Sequence, residues 1–310
     1  MAVGGPSVTP AEEREARLAA EPMRPATPPA HFVKGTRASL LQIWERRDLL
    51  NRLVRREIRA RYKDSVLGVV WSLVRPLVSL LIYYLVIGKV LGAERGITDF
   101  AIYVFTGLTV WQLVSECLAS TTGSVVGNSG IIKKIQLPRE IFPLAAIGAS
   151  LFNFFMQFVI LIIAAVVAAL ANGHELLTAR LLYLPLALAV VIVWSTALGL
   201  VLSAANVYLR DVQYLVEVAL LVGMWASPIV YSWEMVAGHV GHLVQELYLC
   251  NPVTLAVLGF QQAIWTAGFG EPMPTHFVMR LFMALVVGCI ALGVGQRIFA
   301  VMQRDFAQEL

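Results

Sequence analysis

The chain reads as six long apolar blocks joined by short polar connections, at residues 69–90, 100–120, 144–170, 181–203, 212–231 and 277–299. Each is about as long as the 20 or so residues that a helix needs to cross a bilayer core, so each predicts a transmembrane helix. An even number of spans returns both ends of the bundle to one side. Lys and Arg decide which side. With the termini in the cytosol, the inner connections hold eight basic residues over 46–63 together with Lys133, Lys134, Arg139, Arg210 and Arg304, thirteen in all. The outer connections hold only Arg95 and Arg180, with Lys89 at a span end. This bias predicts cytosolic N- and C-termini.

Two stretches depart from simple spans. Residues 232–279 contain no Lys or Arg, and their apolar part, 247–265, is short and interrupted by Asn251 and Pro252. It predicts a pair of short helices dipping into the outer leaflet, because irregular backbone survives at depth only under cover of protein or water. The other stretch is basic. With Asp48 as N-cap, Leu50, Leu53, Val54 and Ile58 share one helical face, and Arg52, Arg55, Arg56 and Arg59 lie opposite. This predicts an amphipathic helix in the cytosolic interface, where anionic lipid contributes roughly 1 kcal/mol per basic residue; a plain basic flank is the simpler alternative. Residues 1–36 carry Pro, Ala, Glu and Arg and no apolar run, which predicts a disordered cytosolic tail without a cleavable signal. The expected organisation is thus tail 1–36, interfacial helix 37–68 and six-span domain 69–310.

Composition sharpens this. Of the 310 residues 58% are apolar and 14% charged, with a mean hydropathy of +0.72; soluble domains have roughly a quarter of their residues charged. A cytosolic enzyme, a disordered protein and a secreted disulfide scaffold are excluded. The formal charge is +4, and the eight basic and four acidic residues from Glu45 to Asp64 account for all of it. Cys117, Cys250 and Cys289 are too scattered for a disulfide framework or a thiolate metal site. His31, His174, His239, His242 and His276 form no pair at metal-binding helical spacing.

Candidate chemistry is sparse. No G-x-x-x-x-G-K-[ST] loop occurs to cradle ATP phosphates, nor H-E-x-x-H, G-x-S-x-G or an aspartate pair suited to diphosphate–metal chemistry. The ionisable residues inside apolar blocks are Arg75, Glu116, Glu217 and Arg280. Arg75 either snorkels to the cytosol or faces a substrate anion; Glu116 and Glu217 either pair or line a cavity. The connection 128–143, NSGIIKKIQLPREIFP, places two lysines on a short helix, then a proline break, then Arg139–Glu140 at the foot of the next span. Such a stiff, charged loop suits docking to a partner protein, or is an ordinary solvated connection.

Four segments carry a resemblance. They are RARYKDSVLG at 59–68 with Trp71 and Pro76 behind it, the IIKKIQLPREIFP loop, YLRDV at 208–212 leading to SPIVY at 227–231, and Asn251-Pro252-Val253-Thr254. In this order and spacing they resemble the permease subunits of type-2 ABC exporters of the polysaccharide and polyol-phosphate export family, over about residues 40–305. Arg75 stands where Gln or Asn is common in that family.

The resemblance implies an all-α integral membrane fold with six transmembrane helices, an N-terminal amphipathic interfacial helix and short re-entrant gate helices between spans five and six. It implies a bacterial cytoplasmic membrane, a second copy of the chain, and two copies of a separate cytosolic ATPase that holds ATP and Mg. This chain itself would carry no catalytic residue, cofactor or metal and bind no nucleic acid. Contact with the ATPase would fall to Lys133, Lys134, Arg139 and Glu140 in the loop and to Arg59, Arg61 and Lys63 on the helix. The cargo would be a polyprenyl-diphosphate-linked polysaccharide of O-antigen, galactan or teichoic acid type. Aromatic faces supply stacking surfaces for such a glycan, and Tyr83, Tyr84, Tyr103, Trp111, Phe152, Phe155, Trp194 and Trp225 fall within spans; interface belts and helix packing account for such residues equally. Arg55, Arg59 and Arg75 would receive the diphosphate at the cytosolic mouth. Rival readings are an exporter of small hydrophobic drugs or lipids, a membrane enzyme acting on polyprenyl phosphates, and a passive scaffold for glycan synthesis.

Overall fold

The computed structural model describes residues 32–62, 74, 77–78, 80–90, 92, 97–133, 137–173, 178–270 and 272–310. Lys63, Arg75, Lys134 and most of the first expected span lie outside them, as does the side chain of Tyr83. Within the described residues the chain is helical and contains no strand. In chain order the helices are α1 (Phe32–Glu45), α2 (Arg47–Tyr62), α3 (Phe100–Gly127), α4 (Ile141–Asn172), α5 (Tyr183–Tyr208), α6 (Val212–Trp225), α7 (Trp233–His239), α8 (His242–Leu249), α9 (Pro252–Ile264) and α10 (Phe277–Met302). A π-helical stretch, Tyr83–Val90, precedes α3, and single turns occur at Ser129–Ile132 and Phe306–Glu309.

Among the described residues four helices are long and apolar enough to cross a membrane: α3, α4, α5 with its lead-in from Ala179, and α10. The pair α8–α9, bent by 84°, makes a fifth if it is counted as one broken span. The bend follows from Asn251 and Pro252. The Asn251 side chain accepts from the Val253 amide at 3.0 Å and caps α9, and Pro252 takes the first position, where a missing N–H costs nothing.

The fifth expected block, 212–231, behaves differently. Its helix ends at Trp225, and the 14 residues of α6 reach only about 21 Å, short of a bilayer core. Pro228 has no N–H to give and disfavours helical geometry at Ser227. Residues 226–231 fold into turns instead. The Tyr103 hydroxyl donates to the carbonyls of Pro228 (3.2 Å) and Tyr231 (2.7 Å), and the Gln261 amide donates to Pro228 at 2.8 Å. A smaller correction concerns Asp48. It sits in the first turn of α2 rather than capping it, because α1 runs into α2 with a break of one residue, Arg46.

The core forms around α3, which packs on α4, α5 and α9, while α5 packs on α10. Val104, Val110 and Leu113 of α3, Leu161 of α4, Val190 of α5, Phe260 of α9 and Leu281 of α10 are buried. Small residues set these approaches, as lipid-embedded helices require. A Cβ on Gly199 would lie 2.6 Å from the Thr121 hydroxyl, and one on Gly295 would lie 2.7 Å from the Ala197 carbonyl oxygen. Gly288 admits the Trp194 ring, whose Nε1 donates to the Ala284 carbonyl at 2.9 Å. Trp194→Phe is expected to lower the detergent melting transition by the equivalent of about 1 kcal/mol, the ordinary worth of one hydrogen bond. An unchanged transition would show that the bond contributes nothing.

The outward faces are apolar. Phe155, Val159, Ile163 and Val167 line one side of α4, and Phe282, Met283 and Ile290 one side of α10, all exposed. Continuous apolar surface of this extent needs lipid or protein against it. In α6 only Val216 is buried, and Tyr214, Leu215, Val218, Leu221, Val222 and Trp225 are exposed.

Candidate functional site

Polar and charged side chains gather at the end of the bundle where α3, α5 and α10 finish and α4 begins. Pro138 interrupts the chain before α4, and the next two residues turn inward. Arg139 donates from Nη1 to the Gln303 carbonyl just beyond α10, and its guanidinium lies 5.6 Å from the centre of the Phe306 ring. Glu140 is only 3% exposed and accepts from the Gln303 side-chain amide at 3.4 Å. Burial pushes the Glu140 carboxyl above the usual carboxylate range, against the lowering effect of its hydrogen bonds, Gln296 and Gln303 among the donors, and of Arg139. Burial likewise lowers Arg139, against Glu140.

The network continues to α1. Gln296 donates to the Ser39 hydroxyl at 2.9 Å and accepts from Thr36 at 3.1 Å, while Arg297 donates to Thr36 at 3.0 Å. The Tyr208 hydroxyl donates to the Met302 carbonyl at 2.7 Å, and Phe306 packs between Phe299 and Tyr208. The P-R-E loop, the end of α10, the C-terminal turn and α1 therefore form one bonded block.

A pH-dependent consequence follows for Glu140. The folded chain holds this proton more tightly than the unfolded chain, whose ordinary value is 4.5. The cost of ionising a buried carboxyl is therefore absent well below pH 4.5, grows as pH rises through the window above that value, and is complete once pH exceeds the folded value. Glu140→Gln is expected to raise the melting temperature at neutral pH and to lose that advantage below about pH 4.5. A gain equal at both pH values would mean that burial of charge is not its source.

α2 presents the second group. Its apolar side rests on α4, where Val54 fills the space over Gly148 and Leu53 is buried with Ile141, Phe142 and Ala145. The face expected to meet lipid thus meets protein. On the other faces Arg52, Arg55 and Arg59 are exposed. Arg56 donates from Nη2 to Glu57 (2.7 Å) and to the Asn128 side-chain oxygen (2.5 Å). Arg61 forms an ion pair with Glu116 of α3, which also accepts from Asn153 of α4 at 2.5 Å.

The structure distributes the other sequence candidates as follows. Lys133 is exposed after the Ser129–Ile132 turn. Glu116 pairs with Arg61, whereas Glu217 is exposed on α6, so these two acids do not meet. Arg280 makes a two-pronged bond to Glu246, both arms 2.8 Å, fastening α8 to α10. Tyr103 and Trp111 are buried, Tyr103 edge-on against Trp265 and Trp111 against Gly223. Trp194 is held by its bond to Ala284. Trp225, Phe152 and Phe155 are exposed, and Tyr84 lies under the Lys89 ammonium at 5.4 Å. Residues absent from the sequence reading include Gln303, Gln296, Asn128 and Asn153. Of these Asn153 and Gln296 carried a visible cue, a polar amide inside an apolar block, repeated one turn after Asn153 by Gln157.

A polar end of this kind, built onto a bundle of membrane-length helices, defines an integral membrane protein. The chain belongs to the ABC-2 type transporter family, whose sequence profile matches residues 48–265, from α2 through α9. It is similar to the O-antigen export system permease protein RfbA of Myxococcus xanthus, 23% identical over 269 residues, 87% of this chain and 98% of that protein. It is also similar to two proteins of the same name from Klebsiella pneumoniae, 22% and 23% identical over 263 residues, 85% of this chain and 95% of each.

Proposed function

We propose that this chain is the permease subunit of an ATP-driven exporter that moves a polyprenyl-diphosphate-linked polysaccharide from the cytosolic to the outer face of a bacterial cytoplasmic membrane. The observation that carries this reading is a family match over most of the chain, together with near full-length relatives named as O-antigen export permeases. In this reading the polar end faces the cytosol, in keeping with its excess of Lys and Arg. In the same reading six crossings arise from residues 69–90, α3, α4, α5, α6 with the turns at 226–231 completing the passage it is too short to make alone, and α10, with α8 and α9 as gate helices at the outer face.

The exposed, partly polar surface of α6 supports a second copy of the chain. A helix bearing Gln213 and Glu217 among bare apolar side chains is costly in lipid, and a partner or a wet channel relieves that cost. The aromatic surfaces available to a passing glycan are then Tyr84, Phe152 and Trp225, in preference to Tyr103, Trp111 and Trp194. Two ATPase subunits, holding ATP and Mg, dock on Lys133, Lys134, Lys63 and the outer side of α2 with Arg59, while Arg61, expected on the same surface, turns inward to Glu116. Arg139 and Glu140 act behind that surface by fixing the loop. Arg55, Arg59 and Arg75 stand at the mouth that receives the diphosphate.

The test is depletion of the chain in its native host, with fractionation of lipid-linked glycans by membrane face. Accumulation of one such glycan on the cytosolic face is expected. Unchanged export of every surface glycan, with altered tolerance of small hydrophobic compounds, would replace this reading by that of a drug or lipid exporter.

A further inference from the structure

A cavity of about 510 Å³ opens between α2 and the polar ends of α3 and α4. Its walls carry Arg56, Glu57, Arg61, Ser120, Ser124 and Asn128, and none of its described lining residues is aromatic. The rest of the wall is Gly123, Gly127 and Gly130 with Ala60, Ala146 and Ile131; a Cβ on Gly127 would meet nothing within 4 Å. Exposed Arg52, Arg55 and Arg59 elsewhere on α2 make the surroundings positive. The cavity is therefore polar, basic and without stacking surface, which suits an anion and not a sugar ring.

Both lining arginines are already held. Arg56 rests on Glu57 and Asn128, and Arg61 on Glu116. Such pairing offsets the cost of keeping guanidinium groups partly buried. A phosphate or diphosphate carries more charge than one carboxylate and matches the planar guanidinium fork with two parallel bonds, so it competes for the same groups.

We propose that this cavity receives the phosphate groups of a lipid headgroup, Arg61 leaving Glu116, and Arg56 leaving Glu57, to bind them. Asn128 would donate its second amide proton to a remaining phosphate oxygen, and Ser120 and Ser124 would do the same on turning away from the carbonyls of Cys117 and Thr121. The inference deepens the export reading and rests on it for the identity of the lipid, since the diphosphate of a polyprenyl-linked cargo and the phosphate of a bulk anionic lipid share this chemistry. It has a mechanical consequence. Arg61 ties the last turn of α2 to α3, so exchange of its partner releases that tie when ligand arrives.

The test is calorimetric titration of the full chain, purified in neutral detergent, with farnesyl diphosphate, inorganic pyrophosphate, phosphatidylglycerol and phosphatidylcholine. Farnesyl diphosphate is expected to bind and phosphatidylcholine to give no signal. Arg61→Gln should weaken binding about ten-fold, the worth of a charge-assisted bond. Glu116→Gln should tighten it about five-fold by removing the competing carboxylate. Glu57→Gln should act in the same direction through Arg56, and serves if Glu116→Gln folds poorly. Gly127→Leu should block binding without altering any charge. Opposite effects at Arg61 and Glu116 are the signature of partner exchange, which a merely structural ion pair would not give. Equal weakening by both variants, or no binding of any phosphate probe, overturns the proposal. Phosphatidylglycerol binding as tightly as the prenyl diphosphate supports the phosphate site and assigns it to bulk lipid, leaving the export reading to the depletion experiment.

Discussion

Replacing Gly295 by valine is expected to remove most of the folded protein from the detergent extract, whereas Gly238→Ala leaves the yield unchanged. Gly295 sits where α10 crosses α5, and the atom its Cβ would meet at 2.7 Å is the Ala197 carbonyl oxygen, part of the backbone. No rotamer moves that atom away, and relief requires parting the two helices. Lipid tails are as apolar as leucine, so no hydrophobic gain draws parted helices back together; close packing is what holds them. Overpacking costs roughly 1–3 kcal/mol in well-packed interiors. Here the displacement also strains the Trp194–Ala284 bond two turns away, which depends on the same close approach at Gly288. Gly238 in α7 has open space around its Cβ position and provides the comparison. Monodisperse yield and melting temperature measure both variants. A Gly295→Val protein that melts with its parent would show that the α5–α10 contact is softer than its geometry.

The long helices were legible because apolar blocks must be long when one side meets lipid and the other a core. Their ends were less so. The sequence reading stops the second block at Ser120, yet α3 continues to Gly127. The intervening Thr121, Thr122 and Ser124 look like loop residues but return their hydroxyls to the carbonyls of Cys117, Leu118 and Thr121, so they satisfy themselves inside the helix. The same holds for the end of α5, where Ser203 bonds to Leu200 and Asn206 donates to Thr122 of α3 at 3.0 Å. At 212–231 the apolar run concealed Pro228, which outweighs hydrophobicity.

Candidate site residues were visible by type and hidden by partner. The amphipathic pattern of α2 was plain, but one face of a helix looks the same whether it will meet lipid or the notch at Gly148. Arg139 and Glu140 stood out as charges beside a proline. Their partner Gln303 lies 163 to 164 positions away and is uncharged, so nothing in the pattern marks it. Aromatic residues divide in the same manner. Tyr103 and Trp225 both sit in apolar blocks, and only the turn at Pro228 shows why the first is fastened inward while the second, at the end of α6, is exposed.

Arg139→Ala and Glu140→Ala are expected to cut export at least ten-fold in the complete transporter while the chain still reaches the membrane and still recruits its ATPase. Arg139 closes the carbonyl of Gln303 and lies against Phe306, so its loss frees the loop from the C-terminal turn. Glu140→Ala strands the buried Gln303 amide, an unsatisfied donor that costs roughly 1–3 kcal/mol. Arg139→Ala loosens the loop from the C-terminal turn, and Glu140→Ala loosens it from Gln303 and from Gln296, the residue that ties α10 to α1. Lys133 and the outer arginines of α2, the proposed docking surface for the ATPase, remain in place. ATP hydrolysis should therefore continue while transport falls, because force applied to the loop no longer reaches the helices. Glu140→Gln supplies the control: it keeps both volume and an acceptor for Gln303, and is expected to export at the parental rate with a higher melting temperature at neutral pH. Parallel measurement of ATP hydrolysis and glycan export in proteoliposomes separates the cases. Undiminished export in Arg139→Ala and Glu140→Ala would remove the loop from the coupling path. A joint loss of hydrolysis and export would place these residues in ATPase recruitment instead.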